Sequence, residues 1–464
     1  MPETQTALAP GVDVQPPDGL PRNRLFLAVG AMAIAVFMSV LDTVICNVAL
    51  PTMSAQLQIS PAESVWIVNA YQLAAIVVLL PLASLGDRIG YRRIYLLGLT
   101  IFTAASFFCA NSHNLQELIA SRAVQGIGAA SISSVNVALI RMIYPKRMLG
   151  RGVGINAAII SFSAVTGPTI AALILSFGPW PWLFGINVPL GILSFVISYL
   201  ALPKPLGGVT NKAPFDYLSA CLNAGLFGMF FLGIDRLGHD GLSMAAVLML
   251  CVAIVSGIVL WKREIKREFP LVPVDLLKRP IFMLSMLTSI CAFIVQLLAF
   301  ISLPFIFQDE YGMTPMQTGA LITPWSLIIV FIAPLAGHLM TKYRAGLLGG
   351  IGLICLSLGM AALATMGRHP SSLDIAWRMM LCGFGFAMFQ TPNNTTIVSA
   401  SPANRAGSAG GMIGIARMSG QTLGAVLASI TLMLSPHHAG PIALGMGAAF
   451  AAIAALFSFS RLLN

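Results

Sequence analysis

Residues 64–110 read SVWIVNAYQLAAIVVLLPLASLGDRIGYRRIYLLGLTIFTAASFFCA. Two apolar runs are joined by a gap, 85–93, that holds one acid, Asp87, and three arginines, Arg88, Arg92 and Arg93. A helix needs about 20 apolar residues to cross the hydrocarbon core of a bilayer, and each run is close to that length. The gap is too short for a soluble domain. The chain crosses, turns within a few charged residues and crosses back.

The rest of the 464 residues repeats that unit. Hydrophobic residues make up 57% and charged ones only 9%, against about a quarter charged in a soluble protein; mean hydropathy is +0.86. Candidate spans fall at 25–48, 64–85, 94–110, 115–140, 152–177, 183–202, 215–235, 242–261, 281–307, 316–340, 346–366, 373–398, 408–434 and 441–460, fourteen in all. An even number places both termini on one side. Of the 26 Lys and Arg, 21 fall in gaps on that side and only Arg236 and Arg368 in gaps on the other, with Arg122, Arg378 and Arg417 inside spans. This is the positive-inside pattern, expected of a multi-pass protein of the bacterial cytoplasmic (inner) membrane with both termini cytoplasmic. It also accounts for the net charge of +10 without nucleic acid. The seven Cys are scattered singly through apolar runs and make no disulfide framework. Residues 1–24 are polar and Pro-rich and lack a signal-peptide pattern, so they are expected to form a cytoplasmic tail.

The chain also resembles itself. A shift of 257 residues aligns Gly126, Gly128, Asn136, Pro145, Gly150, Gly154 and Gly167 with Gly383, Gly385, Asn393, Pro402, Gly407, Gly411 and Gly424, and a shift of 253 aligns Pro51 and Pro81 with Pro304 and Pro334. Spans 1–6 therefore read as a copy of spans 9–14. The expected fold is an all-α membrane protein: an N-terminal six-helix bundle (25–202), a linker carrying two inserted transmembrane helices (203–279) and a C-terminal six-helix bundle (280–464). Spans 7 and 8 show no charge deep in the membrane and are expected outside the twelve-helix core. Parallel repeats of this kind bind substrate near the midplane and alternate in access between the two sides.

Five motifs in chain order resemble those of the major facilitator superfamily. They are Leu85–Arg93 after span 2; Arg122-Ala-Val-Gln125-Gly126-Ile-Gly128 in span 4; Gly167-Pro168 with Ala171-Ala172 in span 5; Leu41–Pro51 at the end of span 1; and Trp182–Gly191 opening span 6. The last two resemble its fourteen-helix drug:proton antiporter family in particular. The resemblance covers nearly the whole chain. It implies a proton-coupled antiporter that exports amphipathic, cationic drugs or toxic compounds by alternating access, with a proton-coupled uptake symporter for a small polar metabolite as the alternative. No phosphate-binding loop and no catalytic metal motif occurs, so the expectation is a monomeric transporter of small molecules and protons in the lipid bilayer. Enzyme activity, a cofactor, a metal and nucleic acid are not expected.

In the loop motif, Gly86, Asp87, Arg88, Gly90 and Arg92 form a candidate conformational latch. Asp87 can meet helix N-termini or Arg92 and Arg93, and Gly90 permits the tight reversal; a solvated loop ion pair is the plainer alternative. The second half offers Thr341-Lys342-Tyr343-Arg344 with no acid. By resemblance, Gly167 and Pro168 form the antiporter gasket, and small-residue packing is the alternative.

Ionisable groups deep in spans cost about 2.5–3.5 kcal/mol each on insertion scales and need partners. Asp42 and Arg122 both lie roughly 10–14 Å below the outer face at 1.5 Å per residue. They are expected to pair, with Asp42 carrying the coupling proton and Arg122 modulating its affinity; a purely structural ion pair is the alternative. Arg378 and Arg417 are expected to pack between helices or bond carbonyls. The neutral polar groups Asn69, Gln72, Gln125, Asn136, Gln296, Gln390, Asn393 and Asn394, with Phe300 and Trp325 as aromatic walls for a cation, are the substrate-binding candidates. Interhelical hydrogen bonding explains many such residues equally well.

Overall fold

A computed structural model describes residues 19–145, 148–203, 215–265, 267, 274–367, 370–400, 406–434 and 439–462. Most of the 1–24 tail lies outside the described residues. Fourteen long helices run α1 Arg22–Leu57, α2 Trp66–Ile89, α3 Tyr91–Ala110, α4 Leu115–Ile143, α5 Leu149–Phe177, α6 Asn187–Ala201, α7 Tyr217–Asp240, α8 Met244–Glu264, α9 Pro280–Phe305, α10 Pro315–Leu339, α11 Ala345–Ala364, α12 Ser372–Ser399, α13 Ala406–Leu434 and α14 Ala439–Ser460. Among the described residues thirteen spans are long and apolar enough to cross a membrane; α13 falls outside that number and carries Arg417 and Gln421 in its middle. The start of α1 and the end of α14 lie on one face, called here the terminal face; the opposite face is the far face.

The repeat is written into the packing. In the first half α1 packs on α5 and α6, α4 on α2 and α3, and α3 on α6. In the second, α9 packs on α13 and α14, α12 on α10 and α11, and α11 on α14. The matched glycines make matched contacts. A methyl on Gly126 would lie 2.3 Å from the Tyr71 carbonyl oxygen, and one on Gly383 would lie 2.2 Å from that of Trp325. Gly128 meets Gly98 and Phe102 as Gly385 meets Gly352 and Leu356. Helices this close tolerate only hydrogen at those positions. Helix starts repeat too. Ser60 and Glu63 form a capping box, as do Thr314 and Gln317, each followed by Pro at the first helical position. Asn114 caps the Glu117 amide as Ser371 caps that of Asp374. Each cap satisfies amides that the first helical turn leaves unbonded.

The halves join through α1–α9, α2–α13 and α5–α10. The far face is sealed. The Gln308 amide donates to the Val48 carbonyl at 3.0 Å, Thr52 donates to Gln308 at 3.4 Å, and the Ser429 hydroxyl donates to the Ala62 carbonyl at 3.2 Å. Beneath these bonds one apolar cluster runs across both halves, from Leu41, Ile45 and Met53 to Phe293, Leu297 and Phe307.

The inserted pair lies outside the twelve-helix core. Helix α7 packs against α2 and α13, and α8 packs on α7. Their expected lack of buried charge does not hold, because Glu264 and Asp235 are both buried. The Ser219 hydroxyl donates to Glu264 at 2.7 Å across the hairpin. At its terminal-face end Asp216 bonds Arg263 at 3.1 Å and Arg267 at 2.6 Å.

Candidate functional site

The centre of the first half is a polar cluster sealed from solvent. Asp42 on α1 is fully buried and Arg122 on α4 is 1% exposed, and the two form an ion pair. The second carboxylate oxygen accepts from the amides of Gln125 and Asn187, both at 2.9 Å. The Gln125 amide also donates to Ser106 at 2.8 Å, and its oxygen accepts from Arg122 at 2.5 Å. Arg122 Nε donates to the Ile67 carbonyl at 3.0 Å, and its guanidinium stacks 4.3 Å from the Tyr71 ring centroid. Both carboxylate oxygens are thus satisfied by nitrogen donors, and a buried guanidinium without this partner would be costly. α1, α4 and α6 each bring a polar group to one point because Gly126 and Gly128 let α4 lie close against α2 and α3. Asn187 and Tyr71 were not among the expected site residues. The only sequence signal for Asn187 was its place in the span 6 motif.

Gln125, expected at a substrate surface, is wholly used within this cluster. Gln72 reaches across the halves to Gln421 at 3.4 Å. Asn69 is buried with neither amide atom hydrogen-bonded. Asn136 bonds Asn156 at 2.7 Å, joining α4 to α5. Gln296, Gln390 and Asn394 are half-buried. Asn393 turns away from the space between the halves. Its amide donates to Ser289 at 2.8 Å and to the Ser285 carbonyl at 3.1 Å, and its oxygen accepts from Arg461 at 2.6 Å. Arg461, one of the 21 basic residues counted on the side of the termini, thus folds back between α9, α12 and α14; burial pushes its pKa down to about 10.

The expected aromatic wall is core. Trp325 is fully buried, edge-on to Phe300 at 5.3 Å and beside Phe386 at 6.4 Å. These rings fill the place that the polar cluster occupies in the first half and leave no open face for a cation.

Arg378 bonds the Ala362 carbonyl and forms an ion pair with Asp374 at 2.9 Å, the carbonyl-bonding role expected of it. Arg417 bonds neither a carbonyl nor a carboxylate among the described residues, so of its two expected roles the carbonyl-bonding one is not seen.

At the loop motif, Gly90 adopts φ 99° and reverses the chain between α2 and α3. The Tyr91 hydroxyl donates to Asp87 at 2.7 Å. Arg92 does not reach Asp87; it donates to the Tyr199 carbonyl at 2.6 Å and lies over that ring. Arg88 lies 5.3 Å from the Phe215 ring. A methyl on Gly86 would lie 2.8 Å from Val135, so this end of α2 is pressed on α4. Helix α5 runs unbroken through Pro168. Gly167 touches Val44 of α1, Gly319 of α10 approaches the Pro168 carbonyl, and the Thr169 and Thr323 hydroxyls meet at 3.0 Å. Gly167 and Pro168 therefore sit at a three-way contact that includes the joint between halves.

These features agree with the comparisons. Residues 32–425 match the Major Facilitator Superfamily, and the chain belongs to it. It is 45% identical to the uncharacterized transporter YebQ of Escherichia coli K12, covering 96% of this chain and 97% of that one. It is 30% identical to the riboflavin transporter RibZ of Clostridioides difficile over 83% of each chain. It is 31% identical to the multidrug resistance protein Stp of Mycobacterium tuberculosis, over 88% of this chain and 77% of that one. The crystal structure of a D-xylose-proton symporter superposes with a TM-score of 0.68 at 15% identity, covering 94% of this chain and 97% of the other. The protein is a multi-pass membrane transporter, not an enzyme.

Proposed function

We propose that this chain is a proton-coupled antiporter that exports amphipathic drugs or toxic compounds across the bacterial cytoplasmic membrane. It works as a monomer by alternating access, with its terminal face and both termini in the cytoplasm. The observation that carries the reading is the Asp42 cluster. It places one carboxylate deep within the twelve core helices, paired with Arg122. With the far face sealed, the carboxylate accepts from Arg122, Gln125 and Asn187. Opening the far face admits water to α1 and α4, weakens the pair with Arg122 and lets Asp42 take a proton. Closure re-forms the pair and releases the proton inward. One carboxylate carries one proton, supplying about 1.4 kcal/mol per pH unit. The sequence motifs and the relative named for multidrug resistance favour export.

Gly86, Asp87, Arg88, Gly90 and Arg92 act as the terminal-face latch, and Gly167 and Pro168 act as the seal between α1, α5 and α10. Asp87→Asn should slow transport several-fold while leaving substrate binding nearly intact; an equal loss of both would assign Asp87 to the site or to folding.

The riboflavin transporter among the relatives favours a second reading, proton-coupled uptake of a small polar metabolite. Proteoliposomes under an imposed pH gradient separate the two, since an antiporter moves substrate against the proton flow and a symporter moves it along. Asp42→Asn should abolish pH-driven movement and still allow downhill exchange. Normal pH-driven accumulation by that variant would place the proton elsewhere.

A further inference from the structure

Arg417 stands apart from every other charge inside the membrane spans. It lies 11 residues into α13, about 16 Å from the terminal-face end. At 100° per residue it falls between two sets of neighbours on its helix. Gly420 and Gly424 are pressed on α9, while Gly414 meets Leu79 and Gln421 meets Gln72, both on α2. The side chain therefore points inward, where α2 and α9 converge on α13, and not toward lipid. It lies deep in the protein and within electrostatic reach of Tyr71, yet it retains solvent-accessible surface. Surface on a group so placed faces the space between the halves.

No described carboxylate pairs with Arg417, and no described group accepts a hydrogen bond from it. α2 has only Asp87, at its terminal-face end, and α9 and α14 have no acid. Arg122 has Asp42, Arg378 has Asp374, and Arg461 has four hydrogen-bond acceptors. A guanidinium held in a membrane interior without a counter-charge is costly, and its fork of donors fits a carboxylate.

We propose that Arg417 is the anion subsite of the translocation path: it receives the carboxylate of an amphipathic substrate, with Gln421 and Gln72 beside it. This rests on the transport reading above and narrows it. The favoured cargo is an amphipathic acid or zwitterion, not a simple cation. The buried ring pair of Trp325 and Phe300, which offers no cation wall, agrees with that choice.

The test uses two dyes of one chromophore, rhodamine 19, which bears a free carboxylate, and rhodamine 6G, its ethyl ester. Binding to the purified full chain and efflux from proteoliposomes are measured for both. The wild type should favour the acid over the ester. In Arg417→Gln that ratio should fall about tenfold, as expected for losing one charge-assisted hydrogen bond, and Arg417→Lys should keep part of it. A wild type that prefers the ester, or binds neither dye, overturns the proposal; so does an Arg417→Gln protein of normal elution profile with an unchanged ratio. Should Arg417→Gln fail to fold, the wild-type ratio and Arg417→Lys decide. Replacing chloride by gluconate should leave the ratio unchanged; a ratio that depends on chloride makes this an inorganic-anion site and overturns the proposal. Loss of pH dependence with the acid preference intact would sink the antiport reading and leave this one standing.

Discussion

The two halves share a packing plan and differ in what they enclose. Through the registers anchored by the matched prolines and glycines, Asp42, Ser106, Arg122 and Gln125 of the first half correspond to Val295, Met360, Met379 and Cys382 of the second, all four buried in one apolar cluster. Tyr71 under Arg122 corresponds to Trp325 among phenylalanines. One repeat keeps an ion pair that a folding argument alone disfavours, while the other shows that the same backbone closes well over hydrocarbon. Buried pairs of this sort are often no more stabilising than apolar residues of similar size. The polar cluster is therefore best understood as retained for what it does.

The strongest way to break that comparison is to make the first half resemble the second. Asp42→Val with Arg122→Met should fold with a stability equal to the wild type or higher, while pH-driven transport falls to background. Arg122→Met alone leaves Asp42 buried without its cation and should cost about 3–5 kcal/mol. Thermal melting of the single and double variants in one detergent measures both. A double variant that still transports against a pH gradient would show that the halves do not divide the labour in this way.

A smaller effect sharpens the shared plan. Gly126→Ala and Gly383→Ala each drive a methyl into the carbonyl of the neighbouring helix. Each should lose about 1–3 kcal/mol through overpacking, and the two losses should match closely. Unequal melting shifts would mean that the register argued from glycine contacts is not an energetic equivalence.

The smallest effect concerns the hairpin that belongs to neither half. Burial opposes ionisation of Asp216, but hydrogen bonds from Ser219 and Arg263 and the charge of Arg267 outweigh it and hold the pKa down at about 2, against 3.8 unperturbed. A depressed acid contributes stability that is fully present above its unfolded pKa and is lost as pH falls through 3.8 toward 2. Both arginines are about a third exposed, so solvent screening limits the contribution to about 1 kcal/mol or less. Melting at pH 6 and pH 3 should therefore show a slightly larger acid shift for the wild type than for Asp216→Asn. A difference of the opposite sign would remove the clasp.

The sequence by itself determined the membrane class, the fourteen helices, the repeat, and Asp42 and Arg122 as charges that must find each other. A bilayer makes this possible, because each crossing must satisfy its backbone internally and hide its charges, so hydropathy and charge along the chain become constraints on structure. Only the tertiary structure decided which polar groups meet. Asn187 lies 145 residues from the carboxylate it bonds, and Asn393, which reads like the other polar candidates, is taken by Arg461. Arg417 reads like Arg378 in sequence, but among the described residues no acid or carbonyl bonds it. Helices apolar on nearly every side carry little periodic signal for which face turns inward. The facing of each polar group is set by the close approach of neighbouring helices, a property of the packed bundle.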